Sequence, residues 1–179
     1  CPACKLWNTG QGATSMREAV SLMGGYGITE DCPGFLGFKW MDAQLEATYE
    51  GPEAVQRRQL SVTMTNELFL AQMESWANEL DELAGRKPAM GAELVARSIR
   101  LWLHTLKYLS KGSDMNGSKL YTSSRQGVSF PMADALCWCL GSRYQILDCV
   151  ELEQKGITNP GVSEGLKGMV NYFSDLSAI

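Results

Sequence analysis

The sequence predicts an all-α protein, an antiparallel bundle of about four to six helices joined by short turns and one long loop. Three observations carry that expectation. Apolar residues recur in alternating steps of four and three in three separate stretches. Gly- and Pro-containing clusters punctuate the chain between those stretches. No run alternates apolar and polar residues for long enough to make a strand, and no internal repeat is visible beyond the helical stripes.

Cys4 to Met23 reads as the first helix, with Met16, Ala19, Val20 and Met23 on one face. Gly10 and Gly12 weaken it. A glycine in mid-helix costs about 1 kcal/mol relative to alanine, so the pair suggests close packing against a neighbour. Gly24, Gly25 and Gly27 end this helix, and glycine lets another backbone or a ligand come close. Asp31-Cys32-Pro33-Gly34 is turn chemistry. Lys39 to Thr48 suits a short helix, cut off at Gly51-Pro52. Pro52 is compatible with the first turn of the next helix, and Glu53 favours that start electrostatically. This helix reads on from Pro52 to Leu83 through the stripe Phe69, Met73, Trp76, Leu80 and Leu83, and Gly85-Arg86-Lys87-Pro88 breaks it.

A second long helix is expected from Ala89 to Leu109, with Val95, Ile99, Trp102, Leu106 and Leu109 in register. Lys111 to Val128 is polar and Gly/Ser-rich, a long loop of the kind that is functional or mobile. A third helix starts near Pro131 and runs to Gln154. Leu136, Trp138, Leu140, Tyr144, Leu147 and Val150 cover most of its girth, so it should be the most buried. Gly156 to Gly161 reads as a turn, followed by a last amphipathic helix with Val162, Leu166, Met169, Phe173 and Leu176 on one stripe.

With 179 residues and ordinary apolar content, the chain can bury a core of its own. Its net charge of −4, with no Lys/Arg block, argues against nucleic acid and polybasic membrane binding. No stretch approaches the roughly 18 consecutive apolar residues of a membrane span. No signal peptide is visible. Cys1-Pro2-Ala3-Cys4 lacks the strand-then-helix setting of a redox motif, and Cys137-x-Cys139 has poor spacing for a second zinc-binding pair. Cys137, Cys139 and Cys149 lie in an apolar helical pattern, as small buried hydrophobes do. All six cysteines are therefore taken as reduced and structural, and the compartment as cytoplasmic. The single histidine, His104, has no second ligand near it in sequence, so no metal site is expected. Glu79, Asp81 and Glu82 read as a solvated face.

The stretch Met23 to Leu60 holds the chemistry. Glu50 is a carboxylate in the tight joint between two helices, and a loop residue held by two rigid elements is a plausible catalytic group. Read alone, it is more simply a cap of the helix that begins near Pro52. In order and spacing, Gly24-Gly25-Tyr26-Gly27, Pro33, Met41-Asp42-Ala43, Tyr49-Glu50-Gly51 and Gln56-Arg57 resemble the carboxy-terminal helical domain of acyl-CoA dehydrogenases. The resemblance covers about residues 1–62, leaving 63–179 as a helical extension. It implies that Glu50 is the catalytic base, removing a proton from the carbon next to a thioester carbonyl. A flavin would take the hydride from the next carbon, leaving a 2-enoyl thioester. Such a base works in an apolar pocket. The resemblance further implies that Tyr49 and Gly51 border the acyl-CoA substrate and that Gly24 and Gly25 offer backbone contacts to FAD.

Three positions depart from the family pattern. Ser21 stands where a Gln is common, Pro52 where Thr is usual, and Ala54 where a Gln often follows. All three commonly contribute polar contacts to the flavin, and Pro52 has neither hydroxyl nor backbone N–H. The family's flavin site also draws on domains that this sequence does not contain. The resemblance thus implies a fragment or split subunit of a dehydrogenase that binds neither flavin nor acyl-CoA usefully by itself. Its partners would be the remaining domains, further copies in a homo-oligomer, and an electron-transfer flavoprotein as acceptor. A non-catalytic helical interaction module that keeps the family scaffold is the competing reading.

Overall fold

Pro2 opens the first helix, α1 (Pro2–Met23), which runs unbroken through both of its mid-helix glycines. The computed structural model describes residues 2–29, 35–156 and positions 164, 165, 167, 168 and 171. Among them are six α-helices and two 3-10 turns. Pairing of β type is limited there to an isolated bridge between Ser113 and Lys119. The protein is all-α, as the periodicity predicts. It divides into two compact units, Cys1–Leu60 and Ser61–Ile179.

In the first unit, α1 lies antiparallel to α2 (Phe35–Glu46). Lys5, near the start of α1, donates from its ammonium to the Glu46 carbonyl at the end of α2. At the other end, a Cβ on Gly37 would sit 3.5 Å from the Gly27 carbonyl oxygen. Gly27 closes the 3-10 turn Gly24–Gly27 and folds so tightly onto α1 that a Cβ there would lie 2.6 Å from the Val20 carbonyl. Glycine is obligatory at that position. Of the two mid-helix glycines only Gly10 faces a neighbour, with the Glu53 carboxylate 3.4 Å from a notional Cβ; Gly12 meets nothing. The expected α1 stripe is corrected in part: Met16, Ala19 and Val20 are half-buried, but the helix buries its residues most deeply nearer its start. Leu6 and Ala13 are its buried residues, and Met23 is exposed.

α2 starts four residues earlier than Lys39 and ends at Glu46, after which Ala47–Gly51 form the joint to α3 (Glu53–Thr63). Pro52 lies just outside α3, not in its first turn. Its carbonyl accepts the N–H groups of Val55 and Gln56 at 2.8 and 3.2 Å, the role of an N-cap. Glu53 does occupy the first turn and pairs with Arg57 at 3.0 Å. The helix expected from Pro52 to Leu83 is in fact two, α3 and α4 (Glu67–Arg86). The Asn66 side chain accepts from the N–H groups of Leu68 and Phe69 at 3.0 and 3.3 Å, satisfying donors that a new helix leaves orphaned.

In the second unit, α4 reverses through the 3-10 turn Pro88–Met90 and Gly91, whose φ is +66°, into α5 (Ala92–Lys111). The predicted stripes are the packing faces. Met73, Leu80 and Leu83 of α4 and Val95, Ile99, Trp102 and Leu106 of α5 are buried. α6 (Gln126–Gln154) docks on α5, where the Trp102 indole donates to the Met132 carbonyl at 2.8 Å. α6 starts at Gln126, so Pro131 sits inside it. Its buried side matches the expected one only in part: Leu136 is buried, and Trp138, Leu140, Leu147 and Val150 are half-buried. Tyr144 is exposed, and Ser129, Ser142 and Arg143 are buried with Met132, Leu136 and Ile146. Ten of its 29 residues are buried against seven of 20 in α5, so α6 is not more enclosed than α5.

Arg143 accounts for a second correction. Its guanidinium lies 4.5 Å from the Trp76 ring centre and 5.4 Å from that of Tyr144, and pairs with Glu79 at 3.0 Å. Asp81 pairs with Arg100 at 2.7 Å. Glu79 and Asp81 are therefore ion-pair partners between helices as well as surface groups; Glu79 supplies the counter-charge that buried Arg143 needs, while Arg100 is partly exposed.

The loop 112–125 is packed against the unit. Asp114 accepts the N–H groups of Asn116 and Ser118, each at 3.0 Å, and the Arg125 guanidinium at 2.7 Å. Tyr121 is buried and donates to the Ser61 carbonyl. The expected turns at Asp31–Gly34 and after Gly156, and the apolar stripe Val162 to Leu176, lie outside the described residues.

Candidate functional site

The joint between α2 and α3 assembles from its local sequence. α2 frays at Glu46, where Thr48 Oγ1 and the Tyr49 N–H both turn back to the Leu45 carbonyl at 2.8 and 3.2 Å. Two residues with positive φ follow, Glu50 at +54° and Gly51 at +94°, and Glu50 is the one such non-glycine among the described residues. A left-handed φ suits Gly51 and disfavours Glu50, because its Cβ crowds the following carbonyl.

What holds the joint is Gln56, in the first turns of α3. Its side chain is buried, and its Nε2 donates to the carbonyls of Glu50 and Gly51 at 3.2 and 3.1 Å. A Cβ on Gly51 would lie 2.7 Å from that nitrogen, so glycine is what lets the amide in. Lys5 braces the other side, its ammonium 4.6 Å from the centre of the Tyr49 ring.

The Glu50 side chain is exposed, and its carboxylate makes no hydrogen bond or ion pair among the described residues. It does not cap α3; Pro52 holds that position. The apolar pocket expected around a base is not formed by the described residues of this unit. Tyr49 is half exposed beside it, and Gly51 is partly buried under Gln56.

Gly24 and Gly25 lie elsewhere. Their turn sits at the start of α2 and Glu50 just beyond its end, so the length of a 12-residue helix, about 18 Å, separates them. A Cβ on either glycine would meet nothing within 4 Å, so this backbone is open but is not a cradle. Ser21 spends its hydroxyl on the Arg17 carbonyl at 3.0 Å, and Pro52 and Ala54 are exposed without a polar side chain. These residues do not by themselves fit a dinucleotide, which needs donors converging from several directions.

The second unit holds a concavity of about 240 Å³ with Leu80, Leu83, Leu147 and Val150 in its wall. Arg143 and Lys87 at its edge are already paired with Glu79 and Glu153. His104 is exposed, and no cluster of three or more potential metal ligands occurs among the described residues. Cys4 is exposed, while Cys137, Cys139 and Cys149 are buried, and none of the four is in a disulfide. Burial pushes the Cys139 thiol up to about 12.

Sequence reasoning missed Lys5 and gave Gln56 no role. Neither carries a signal of its own, because the partners of both include backbone carbonyls, which any sequence has.

The first unit is thus a helical domain carrying, on a strained and braced joint, a carboxylate with no partner among the described residues. The family model for the acyl-CoA dehydrogenase, C-terminal domain, matches residues 1–65, ending in the turn between α3 and α4. That segment is similar to the domain; it is 65 of the 179 residues. No curated protein and no solved structure matches the chain. No helix among the described residues is long and apolar enough to cross a membrane.

Proposed function

We propose that this chain is the C-terminal part of an FAD-dependent acyl-CoA dehydrogenase in which Glu50 is the base. Its carboxylate takes the proton from the carbon next to the thioester carbonyl. The observation that carries this reading is the Glu50 joint. A carboxylate without a partner among the described residues is held on disfavoured backbone by a buried amide, in the segment that matches the dehydrogenase domain. Strain that the surroundings maintain is a mark of functional sites. Tyr49 and Gly51 would border the acyl chain, and Gly24 and Gly25 would give backbone contact to a flavin held mainly by other parts of the enzyme. Residues 1–62 would be the dehydrogenase-like segment and 63–179 its extension. Acyl-CoA, further copies of the chain and an electron-transfer flavoprotein would be its partners, in a cytoplasmic setting.

Glu50→Gln in the complete enzyme tests the base. The change keeps shape and removes the proton acceptor. Turnover should fall by about 10²–10⁴, the usual loss for a general base, while flavin content stays near that of the unaltered enzyme. Normal acyl-CoA dehydrogenation by the variant would end the reading.

A second reading, a non-catalytic interaction module, is favoured by one observation. Phe38, Met41 and Leu45 form an exposed apolar stripe along α2. A module of that kind would associate as before after Glu50→Gln and show no dehydrogenase activity in either form.

A further inference from the structure

We propose that Gln56 is a positioning residue, which fixes the Glu50 carboxylate by clamping the backbone on which it stands. The proposal rests on reading Glu50 as the base.

The geometry is specific. A buried side-chain amide must find partners. The two donor hydrogens of Gln56 Nε2 match two carbonyls, those of Glu50 and Gly51, at 3.2 and 3.1 Å. These belong to the two successive positive-φ residues of the joint. Backbone that an ordinary side chain disfavours relaxes unless it is over-determined. Gln56 is itself anchored, its N–H bonded to the Pro52 carbonyl at 3.2 Å. Glu50, Gly51, Pro52 and Gln56 therefore close a small ring that fixes the direction of the Glu50 Cα–Cβ bond. The 2.7 Å approach of Gln56 Nε2 to the Cβ position of Gly51 excludes any other residue at 51 without moving the clamp.

A merely structural glutamine would help α3 start and do nothing to chemistry. Gln56→Met keeps length and burial but has no donor; Gln56→Glu, read at pH 8, keeps shape and likewise cannot donate. Two measurements separate the roles. The first is cleavage of the full chain after Glu50 by a glutamyl endopeptidase, scaled to other glutamyl bonds in the same digest. Circular dichroism confirms that helix content is unchanged. Both variants should speed cleavage after Glu50 about tenfold. The second is steady-state kinetics of the complete enzyme. Misplacing a reacting group by about 1 Å can cost up to about 10²-fold in rate, so kcat should fall about 10- to 100-fold with KM within twofold.

Unchanged cleavage in both variants overturns the clamp. Faster cleavage with unchanged kcat overturns the positioning role. A lower kcat in the Gln56 variants, when Glu50→Gln retains full turnover, overturns the link between them and points away from Glu50 as the base. If Glu50→Gln is inactive while Gln56→Met has normal cleavage and turnover, the base stands and this proposal alone fails.

Discussion

Replacing Glu50 by glycine and, separately, by alanine isolates the backbone conformation from the carboxylate. Both variants lose the charge equally, so the difference between them reports φ alone. At +54° an L-residue suffers a Cβ–carbonyl conflict of roughly 1–2 kcal/mol that glycine escapes. Glycine gives back about 0.5–1 kcal/mol through the greater freedom of its unfolded chain. Glu50→Gly should therefore be more stable than Glu50→Ala by about 0.5–1 kcal/mol. At an ordinary helical or extended position the order reverses by a similar amount, so the sign alone decides. Urea unfolding followed by circular dichroism is the assay. With a slope of about 2 kcal/mol per molar, the midpoints should differ by about 0.25–0.5 M. The chain has two compact units, so the transition to read is that of the unit bearing residue 50. Equal midpoints, or a more stable alanine variant, would refute the left-handed joint and remove the geometry on which the Gln56 clamp depends.

Two further expectations concern the second unit. Asn66→Ala removes both cap bonds of α4 and should cost about 1 kcal/mol, lowering the melting temperature by about 2–4 °C, while Asn66→Asp, which keeps an acceptor, should hold near the original value; equal melting of all three would show that Asn66 is no cap. Burial pushes both the Cys139 thiol and the Tyr121 hydroxyl up to about 12, from ordinary values of 9.0 and 10.0. The folded state therefore keeps protons that the unfolded chain has already released, so the contribution of these two groups is level below pH 9 and stability should fall as pH rises from there toward 12. Urea midpoints across that range check the slope, and iodoacetamide labelling at pH 8, mapped by mass spectrometry, should modify exposed Cys4 well before Cys139.

The faces of α4 and α5 were legible because each buries one stripe, and a single-face pattern survives in the sequence as steps of four and three. The break between α3 and α4 was not. The apolar stripe begins at Phe69, inside α4, and says nothing of the residues before it, while the cap made by Asn66 is a local polar bond that an apolar pattern does not register. The inner side of α6 was misjudged for a different reason. Arg143 can be buried only because Glu79 supplies a counter-charge from 64 residues away and Trp76 a ring face. That compensation is tertiary, and no window on α6 contains it. At the candidate site, Gly51 announced a tight joint, but nothing in the letters places the glutamate before it at positive φ. The order of glycines, Tyr49-Glu50-Gly51 and Gln56 carried the family likeness; the hydrogen bonds that explain why glutamine stands at 56 needed the fold.

The separation of the two ends of the candidate site bears on how it would work. Gly24 and Gly25 stand at the start of α2, Glu50 stands past its end, and the exposed stripe of Phe38, Met41 and Leu45 runs between them. A carboxylate in water is a weak base, and one enclosed by apolar surface is a stronger one. In this unit Glu50 has no such enclosure. A surface that encloses it would approach the end of α2, where Leu45, Tyr49 and Val55 are uncovered apolar groups. Covering the stripe and drying the carboxylate then become one event, and the apolar burial along α2 offsets the cost of taking a charge out of water. On that argument the Gln56 clamp has a purpose beyond holding a turn. If Glu50 is the base, as proposed, these two bonds would keep it aimed while the carboxylate is still solvated, and an enclosing surface would meet a group already in position.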